Sequence, residues 1–312
     1  MTSPRISVVM PCFNAARHLR ATLESLAAQT LADWELIAVD DGSTDATWAI
    51  LAEAEARDPR IRALRTPNGG PSRARNLGAI GLARADLLAF LDADDLCVPE
   101  RLARLVETFD ARPGTAGLYG RVGFFRTDPA RPDAISAIRR TPLSASVLLG
   151  ENPVCTTSNL ALRLDAFRDV AGFDERLVHH EDVDLLLRLV AAGARIEGID
   201  ALQVRYRTSE AGLSADLDAM RRGWRETLER ADSRAPLDRA TRRRAEAIHL
   251  RYLARRALRT GHPAREARRL AVTGFGRSPV AFFDIPRRGA LTLAGALAAP
   301  FLPRALRRRL FA

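Results

Sequence analysis

The first 110 residues alternate short apolar runs with amphipathic segments, and this alternation restricts the fold more than any other feature of the sequence. Four apolar runs are predicted to be strands: residues 6–10, 34–39, 61–64 and 87–91. Three helices are predicted between them: one with Leu19, Leu23 and Leu26 on one face and Asn14 as its cap, one through Trp48, Ile50 and Leu51, and one over 72–83. Strand, helix and strand at this spacing are typical of βαβ units. The sequence therefore predicts an α/β fold with a mostly parallel sheet flanked by helices.

The pattern changes after residue 110. Strands are predicted over 117–126, 158–163 and 201–207, and a helix over 182–192. From about residue 213 helices dominate, and prolines divide them at Pro236, Pro263, Pro279 and Pro286. We therefore predict an α/β domain over residues 1–212, with halves of about 1–110 and 111–212, followed by a helical, basic region over 213–312.

The charge of the chain is as unevenly distributed as its predicted structure. Residues 208–312 contain 23 arginines against 10 acidic residues, a net charge of +13, whereas residues 1–207 have a net charge of −3. A strongly basic C-terminal region next to a nearly neutral domain indicates a separate role, with the basic region facing an anionic partner.

Cysteine usage and hydropathy indicate where the protein works. The three cysteines, at positions 12, 97 and 155, are odd in number and lack metal-binding spacing, which fits a reducing compartment. The N-terminal apolar run is too short for a signal peptide, and no stretch reaches the roughly 20 apolar residues of a membrane span. We expect a cytoplasmic protein, with peripheral attachment to the inner face of the cytoplasmic membrane as an open alternative.

Acidic residues follow two of the predicted strands directly. Asp92, Asp94 and Asp95 follow the strand at 87–91, and Asp40 and Asp41 follow the strand at 34–39. Ligands of such sheets bind beyond the carboxyl ends of the strands, and alternate carboxylates there suit Mg²⁺ or Mn²⁺. The alternatives are a solvated acidic turn for the first cluster and a turn with a capped helix for the second.

Five segments occur in a characteristic order: ISVVMPCFNAARHLRATLESLAAQT, WELIAVDDGSTDAT, NGGPSRARNLG, LLAFLDADDLCVPERL and GFDERLVHHEDVDLLLRL. This series closely resembles the family 2 glycosyltransferases over roughly residues 5–210. The resemblance implies a GT-A fold and a metal-dependent, inverting hexosyltransferase that uses a nucleotide-sugar donor, most simply a UDP-sugar. GDP- and dTDP-sugars remain open. It also implies an acceptor that is a carbohydrate or a lipid-linked sugar, in cell-surface polysaccharide or glycolipid synthesis.

The resemblance assigns donor-binding roles to five positions. Pro11 and Phe13 match the segment whose backbone and aromatic ring approach the nucleotide base. Asp41 matches the residue that reads the base, and Arg75 and Asn76 match the segment that lines the donor pocket. At Asn14-Ala15-Ala16 the chain departs from the family, whose members often carry an acidic residue in this stretch.

The resemblance also assigns the reacting groups. Asp92 and Asp94 match the D-x-D pair that holds Mg²⁺ or Mn²⁺, with Asp94 as the more direct ligand. Asp182 matches the general base that deprotonates the acceptor hydroxyl, and Glu181 matches its neighbour in acceptor orientation. A residue at the start of a helix is also a favoured place for a carboxylate, so a capping role for Asp182 stays open.

The C-terminal region lies outside the matched segments. An apolar run from 290 to 302 is flanked by arginines, is too short to span a bilayer and is interrupted by Pro300. It could lie in the interface of an anionic membrane, and the alternative is a set of helices packed on the catalytic domain with a solvated arginine face. The first of these predicts that deletion of residues 280–312 abolishes binding to anionic liposomes.

Other classes of protein fit the sequence less well. A nucleotidyltransferase would carry a glycine- and lysine- or arginine-rich phosphate loop near the N-terminus, which VVMPCFNAARHL is not. A basic nucleic-acid-binding protein would account for the charge, but no binding motif accompanies it, so no nucleic acid is expected as a partner. A non-catalytic nucleotide-sugar-binding relative remains the second alternative.

Overall fold

In the computed structural model, strands and helices alternate through the first third of the chain. The structure describes residues 3–177, 180–208, 217–234, 236–260 and 262–303. The chain forms two compact units, the first made of residues 1–143 and 154–208 and the second of 144–153 and 209–312. The boundary predicted at residue 212 lies outside the described residues.

The first unit begins with three repeats of strand and helix. In chain order these elements are β1 Ile6–Cys12, α1 Ala16–Ala27, β2 Trp34–Asp41, α2 Thr47–Arg57, β3 Ile61–Thr66, α3 Pro71–Asn76 and β4 Leu87–Phe90. The remaining elements of this unit are β5 Leu96–Cys97, α4 Arg101–Ala111, β6 Gly117–Phe125, β7 Ala134–Ile135, β8 Leu160–Arg163, α6 Leu164–Asp169, α7 Glu181–Ala191 and β9 Ile196–Arg207.

One sheet of nine strands forms the centre of this unit, in the order β3-β2-β1-β4-β8-β6-β9-β5, with β7 paired to β6. The first four strands of this order are parallel, and β8 runs antiparallel to both β4 and β6. Strands β1 and β2 are almost completely buried and consist mainly of apolar residues, as expected for parallel strands covered on both faces. The carboxyl ends of β1, β2 and β4 therefore lie at one edge, where the candidate site residues follow.

The helices of this unit bury the faces that the sequence predicts. Leu19 and Leu26 of α1 and Ile50 and Leu51 of α2 belong to one apolar cluster with the strands. Two local predictions are wrong. The helix predicted over 72–83 is a short α-helix followed by a π-helical turn, Leu77–Leu82. Asn14 does not cap α1, because it adopts a left-handed conformation with φ 49° and Ala15 takes the cap position.

The second unit is helical among its described residues. Its helices are α5 Ala145–Leu148, α8 Leu217–Arg234, α9 Arg239–Thr260, α10 Ala264–Arg277, α11 Pro279–Phe282 and α12 Pro286–Ala298, with a 3₁₀ turn over Ala299–Phe301. Pro279 and Pro286 occupy first turns, where a missing N–H costs no helical hydrogen bond. Among the described residues, no helix is both long and apolar enough to cross a bilayer.

Residues 144–153 belong to this second unit, although the sequence analysis assigned them to the α/β domain. Gly150 lies so close to α9 that an added Cβ would stand 2.4 Å from Ile248 Cβ. The Trp224 indole N–H donates to the carbonyl oxygen of Leu149. These contacts join positions up to about a hundred residues apart, so no local sequence pattern reports them.

Candidate active site

Hydrogen bonds join the loops that follow β1 and β2. The Asn14 N–H donates to Ser43 Oγ at 2.9 Å, and Asn14 Oδ1 accepts from the Thr44 N–H at 2.9 Å. The N–H at the start of α1 also has a partner beyond β2, since Thr47 Oγ1, at the start of α2, accepts from the Ala15 N–H. Between these loops Pro11 is partly buried and the Phe13 ring is 53% exposed. Phe13 therefore presents an open aromatic face beside the sheet edge.

The Asp41 carboxylate, at the end of β2, holds the loop that leads into α3. Its Oδ1 and Oδ2 accept from the N–H groups of Gly69 and Gly70, each at 2.8 Å. Gly42, with φ 76°, lies against the same loop, where an added Cβ would come within 2.8 Å of Asn68 N. Asp41 thus shapes the loop around residues 68–70, and its contact with a base stays a prediction.

Arg75 joins two of the other predicted site residues, Asp92 and Glu181. Its side chain is buried, and it donates from Nη2 to Asp92 Oδ1 at 2.6 Å and from Nη1 to Glu181 Oε1 at 3.2 Å. Its guanidinium carbon also lies 5.4 Å from the Phe173 ring centroid. Burial lowers the pKa of Arg75, but the adjacent charges of Asp92 and Glu181 outweigh this effect and raise it overall. The end of β4 and the start of α7 are therefore fastened to α3 by one fully charged group.

The Asn76 side chain positions the segment around Phe173. Its Nδ2 donates to the Phe173 carbonyl oxygen and to Glu175 Oε1, each at 2.9 Å, and its Oδ1 accepts from the Phe173 N–H at 2.8 Å. Gly172, with φ 66°, makes this approach possible, since an added Cβ would stand 2.4 Å from Asn76 Oδ1. The amide thus holds Phe173 beside Arg75, and the predicted contact of Asn76 with the donor is not tested by these bonds.

Asp95 is a site residue that the sequence analysis did not single out. It is buried, and it accepts from Ser158 Oγ at 2.6 Å and from the Arg207 N–H at 3.0 Å. Ser158 Oγ in turn accepts from the Asp92 N–H at 2.9 Å. Burial, followed by the charges of Asp92 and Asp94, raises the pKa of Asp95 well above its ordinary value. The third acidic residue in D-x-D-D was the signal that could have identified it.

The donor set at the end of β4 fits a divalent cation. Asp94 is exposed at the surface, yet partial desolvation of its carboxyl group and the charge of Asp92 raise its pKa. Asp92 Oδ1 binds Arg75, while its Oδ2 accepts no hydrogen bond from the residues that the structure describes. In those residues no three His, Cys, Asp or Glu side chains converge as a preformed cage. Two carboxylates that repel each other are nevertheless suitable for Mg²⁺ or Mn²⁺ with phosphate oxygens as further ligands.

Glu181 and Asp182 open α7 directly after His180, which has a φ of 60°. Burial, together with the charge of Asp182, raises the pKa of Glu181, although Arg75 opposes this shift. Burial also raises the pKa of Asp182. Asp182 Oδ1 accepts from the Val183 N–H at 2.8 Å, which is the next residue and not the second or third residue on that a capping side chain would bind. The same carboxylate senses the charges of Arg75 and Asp92, so it belongs electrostatically to the cluster at the sheet edge.

The chain has relatives among known proteins. The sequence pattern that defines glycosyl transferase family 2 matches residues 7–171, which is more than half of the chain. The chain therefore belongs to glycosyl transferase family 2, and the resemblance carried by the five segments is confirmed. Chondroitin synthase of Escherichia coli is 28% identical over 190 residues, which are 61% of this chain and 27% of that protein. Two further curated relatives are matched over only 20% and 36% of their length, so the chain spans well under two thirds of these relatives.

Two solved structures share the fold. TarS 1-349 of S. aureus in complex with UDP-GlcNAc has a TM-score of 0.61 at 18% identity, over 95% of this chain and 92% of that chain. The mannosyltransferase PcManGT from Pyrobaculum calidifontis, in complex with GDP-Man and Mn²⁺, has a TM-score of 0.55 at 17% identity, over 100% of this chain and 85% of that chain. The predicted GT-A-like α/β fold is confirmed.

Proposed function

We propose that the chain is a metal-dependent, inverting glycosyltransferase that moves a sugar from a UDP-sugar to an acceptor hydroxyl. The observation that carries the proposal is the buried bridge of Arg75, which ties Asp92 at the end of β4 to Glu181 at the start of α7. This bridge links the acidic strand end, where a diphosphate would be held, to Glu181, the residue next to the candidate base. Donor and acceptor chemistry then share one charged cluster, as direct displacement requires.

Asp182 is the proposed general base. A carboxylate whose pKa is raised by burial accepts a proton more readily than an ordinary aspartate, which favours deprotonation of the acceptor hydroxyl. Glu181 orients the acceptor, and Arg75 fixes the position of Glu181. With one base opposite one leaving group, the acceptor oxygen attacks the face away from the diphosphate. An α-linked donor then yields a β-glycoside.

Asp94 and the free oxygen of Asp92 would hold the divalent cation. Bound there, Mg²⁺ or Mn²⁺ neutralises the negative charge that develops on the departing diphosphate. The crowding of Asp92, Asp94 and Asp95 supports this assignment. Burial first, and then the repulsion between these carboxylates, raises the pKa of Asp94 and Asp95, and a cation would relieve the repulsion.

The nucleotide would lie where β1 and β2 end. The exposed Phe13 ring offers a stacking surface, Pro11 offers a backbone without an N–H donor, and Asp41 shapes the adjoining loop. UDP is favoured by the similarity to TarS in complex with UDP-GlcNAc, while PcManGT in complex with GDP-Man keeps a GDP-sugar as the alternative. A growing polysaccharide is the proposed acceptor class, because chondroitin synthase is among the relatives.

The test is donor binding and slow donor hydrolysis across a panel of nucleotide sugars, with Mn²⁺, Mg²⁺ or EDTA. We expect one donor to bind in a metal-dependent way and Asp94→Ala to weaken that binding at least about tenfold. Asp128→Ala, which removes an exposed carboxylate far from β4 in sequence, is the matched control and should bind like the parent. Failure of every donor to bind with metal present would leave a non-catalytic relative as the better description. The anomeric configuration of the product, read by NMR, tests inversion separately.

A further inference from the structure

The outward face of α12 carries only apolar side chains over its last three turns. Its exposed positions after Arg287 are Ala290, Leu291, Ala294 and Leu297, whereas Gly289, Thr292, Gly295 and Ala296 face inward and are buried. Helices at a protein surface ordinarily place polar residues on the outward face. Apolar residues on both faces indicate that the outward one is covered by something else.

The neighbouring elements expose further large apolar side chains. Phe301, in the 3₁₀ turn that follows α12, is 87% exposed, and Val280 of α11 is 75% exposed. Of the nine large apolar side chains that are exposed among the described residues, six lie between positions 272 and 301: Val272, Phe275, Val280, Leu291, Leu297 and Phe301. Concentration of this kind marks an interaction surface, whereas single exposed apolar residues need no explanation.

Arginines outnumber acidic residues in α10, in α12 and in the sequence that follows, although Arg269 pairs with Glu266 and Arg277 with Glu246. No acidic residue occurs from position 285 to the end of the sequence, while arginines occur at 287, 288, 304 and 307–309. On α10, which packs against α12, Arg265, Arg268, Arg269 and Arg277 are exposed. An apolar face bordered by arginines matches a surface that is apolar inside and anionic outside, as a bilayer with anionic head groups is.

We propose that the outward face of α12 docks onto an anionic phospholipid bilayer, with Leu291, Leu297 and Phe301 entering the head-group boundary. At about 1.5 Å per residue the helix is about 20 Å long, which suits a position along the interface and not across it. A second copy of the chain fits less well as the occupant, because arginines outnumber carboxylates beside this face and two copies would repel each other.

The test is co-sedimentation of the full chain with vesicles of phosphatidylcholine alone or with about one third phosphatidylglycerol. We expect binding to the anionic vesicles only, and loss of at least about tenfold in the partition coefficient for L291S/L297S/F301S. The control I80S/I135S makes the same kind of change at exposed apolar positions of the first unit and should bind like the parent. Unchanged vesicle binding by the triple variant would overturn the proposal.

A second measurement keeps the proposal testable if the triple variant does not fold. Leu297→Trp adds a reporter at the centre of the face, and its emission should shift to the blue and be quenched by brominated lipids. Quenching equal to that of the parent chain would mean that this face does not enter the bilayer. Sedimentation velocity without lipid tests whether a second copy of the chain occupies this face. If the parent chain does not bind vesicles but forms a dimer, and Leu297→Asp dissociates that dimer, the face is an interface between two copies.

Discussion

Each unit of the molecule contains a buried arginine that bridges two carboxylates, and the two sites differ in what surrounds the bridge. In the first unit Arg75 joins Asp92 to Glu181. In the second unit Arg251, which is completely buried, joins Glu151 to Asp284 and also donates to the Phe282 carbonyl oxygen at 2.9 Å. By contact geometry alone the two bridges would be assigned the same role.

The charge balance separates them. Around Arg251 the two carboxylates are matched by a second cation, since Arg288 also contacts Glu151. Around Arg75 the carboxylates outnumber the cation, and burial with mutual repulsion raises the pKa of four of them: Asp94, Asp95, Glu181 and Asp182. Partly desolvated carboxylates without a balancing positive charge raise the free energy of the folded protein unless a proton, a metal ion or a substrate neutralises them. The comparison shows that a buried ion pair alone does not identify a candidate active site. An excess of carboxylates over cations around the ion pair does.

The largest expected effect is that of Asp182→Asn. The amide cannot accept the acceptor's proton, so turnover should fall by about 10²–10⁴-fold while donor affinity stays within about twofold of the parent. Asp165→Asn is a matched control, because Asp165 also lies in a first helical turn and accepts from the N–H of the next residue. Transfer rates and donor titrations check both variants. Parent-like turnover of Asp182→Asn would leave only the helix-capping role for this carboxylate.

A pair of conservative changes tests the contrast between the bridges directly. Arg75→Lys keeps the charge but cannot hold two carboxylates in one plane, so kcat should drop at least about tenfold. Arg251→Lys should instead lower the free energy of unfolding by about 1–3 kcal/mol and leave the turnover of the folded protein unchanged. Urea titration and steady-state kinetics of both variants separate the outcomes. Equal losses of activity would mean that charge balance does not distinguish the two sites.

The sequence predicts the acidic strand end and the alternating fold well, because both depend on local patterns. Buried parallel strands read as apolar runs, and the residues that follow them meet at one edge, so Asp41 and Asp92 could be placed without a structure. The resemblance to the family added Arg75 and Glu181 to the same site, and the structure brings these two into contact with each other.

Contacts between distant segments account for what could not be predicted. Ser158 and Arg207 reach Asp95 across 63 and 112 residues, and nothing in the sequence around them signals a shared carboxylate. The start of α1 is another example. Asn14 is a good cap by type, but its side chain accepts from Thr44. The N–H groups of Ala15 and Ala16 donate instead to Thr47, at the start of α2, and to Asp45. Tertiary hydrogen bonds there replace the local cap.

The pH profile of transfer tests the raised pKa of the proposed base. Asp182 must be ionised to accept a proton, so kcat/KM should fall on the acidic side as pH drops through its raised pKa, at a pH above the ordinary aspartate value of about 4. Glu181→Gln removes a negative charge next to Asp182, and the positive charge of Arg75 is then no longer partly neutralised by Glu181. Both effects lower the pKa of Asp182, so the acidic limb should move to lower pH. A limb that moves upward, or does not move, would contradict the electrostatic coupling of these two carboxylates.

The smallest effect concerns the packing of Gly172 against Asn76, which positions Phe173 beside Arg75. Gly172 and Gly193 both have positive φ, but only Gly172 is crowded, since an added Cβ would stand 2.4 Å from Asn76 Oδ1 whereas Gly193 has open space. Gly193→Ala should therefore lower the free energy of unfolding by about 1 kcal/mol, the backbone cost alone, and Gly172→Ala by about 2 kcal/mol or more. Urea denaturation measures both. In an Asn76→Ala background the crowding atom is gone, so the extra cost at Gly172 should disappear. If the two alanine variants cost the same in the parent chain, the loop yields to the added methyl group, and Asn76 does not hold Phe173 rigidly beside Arg75.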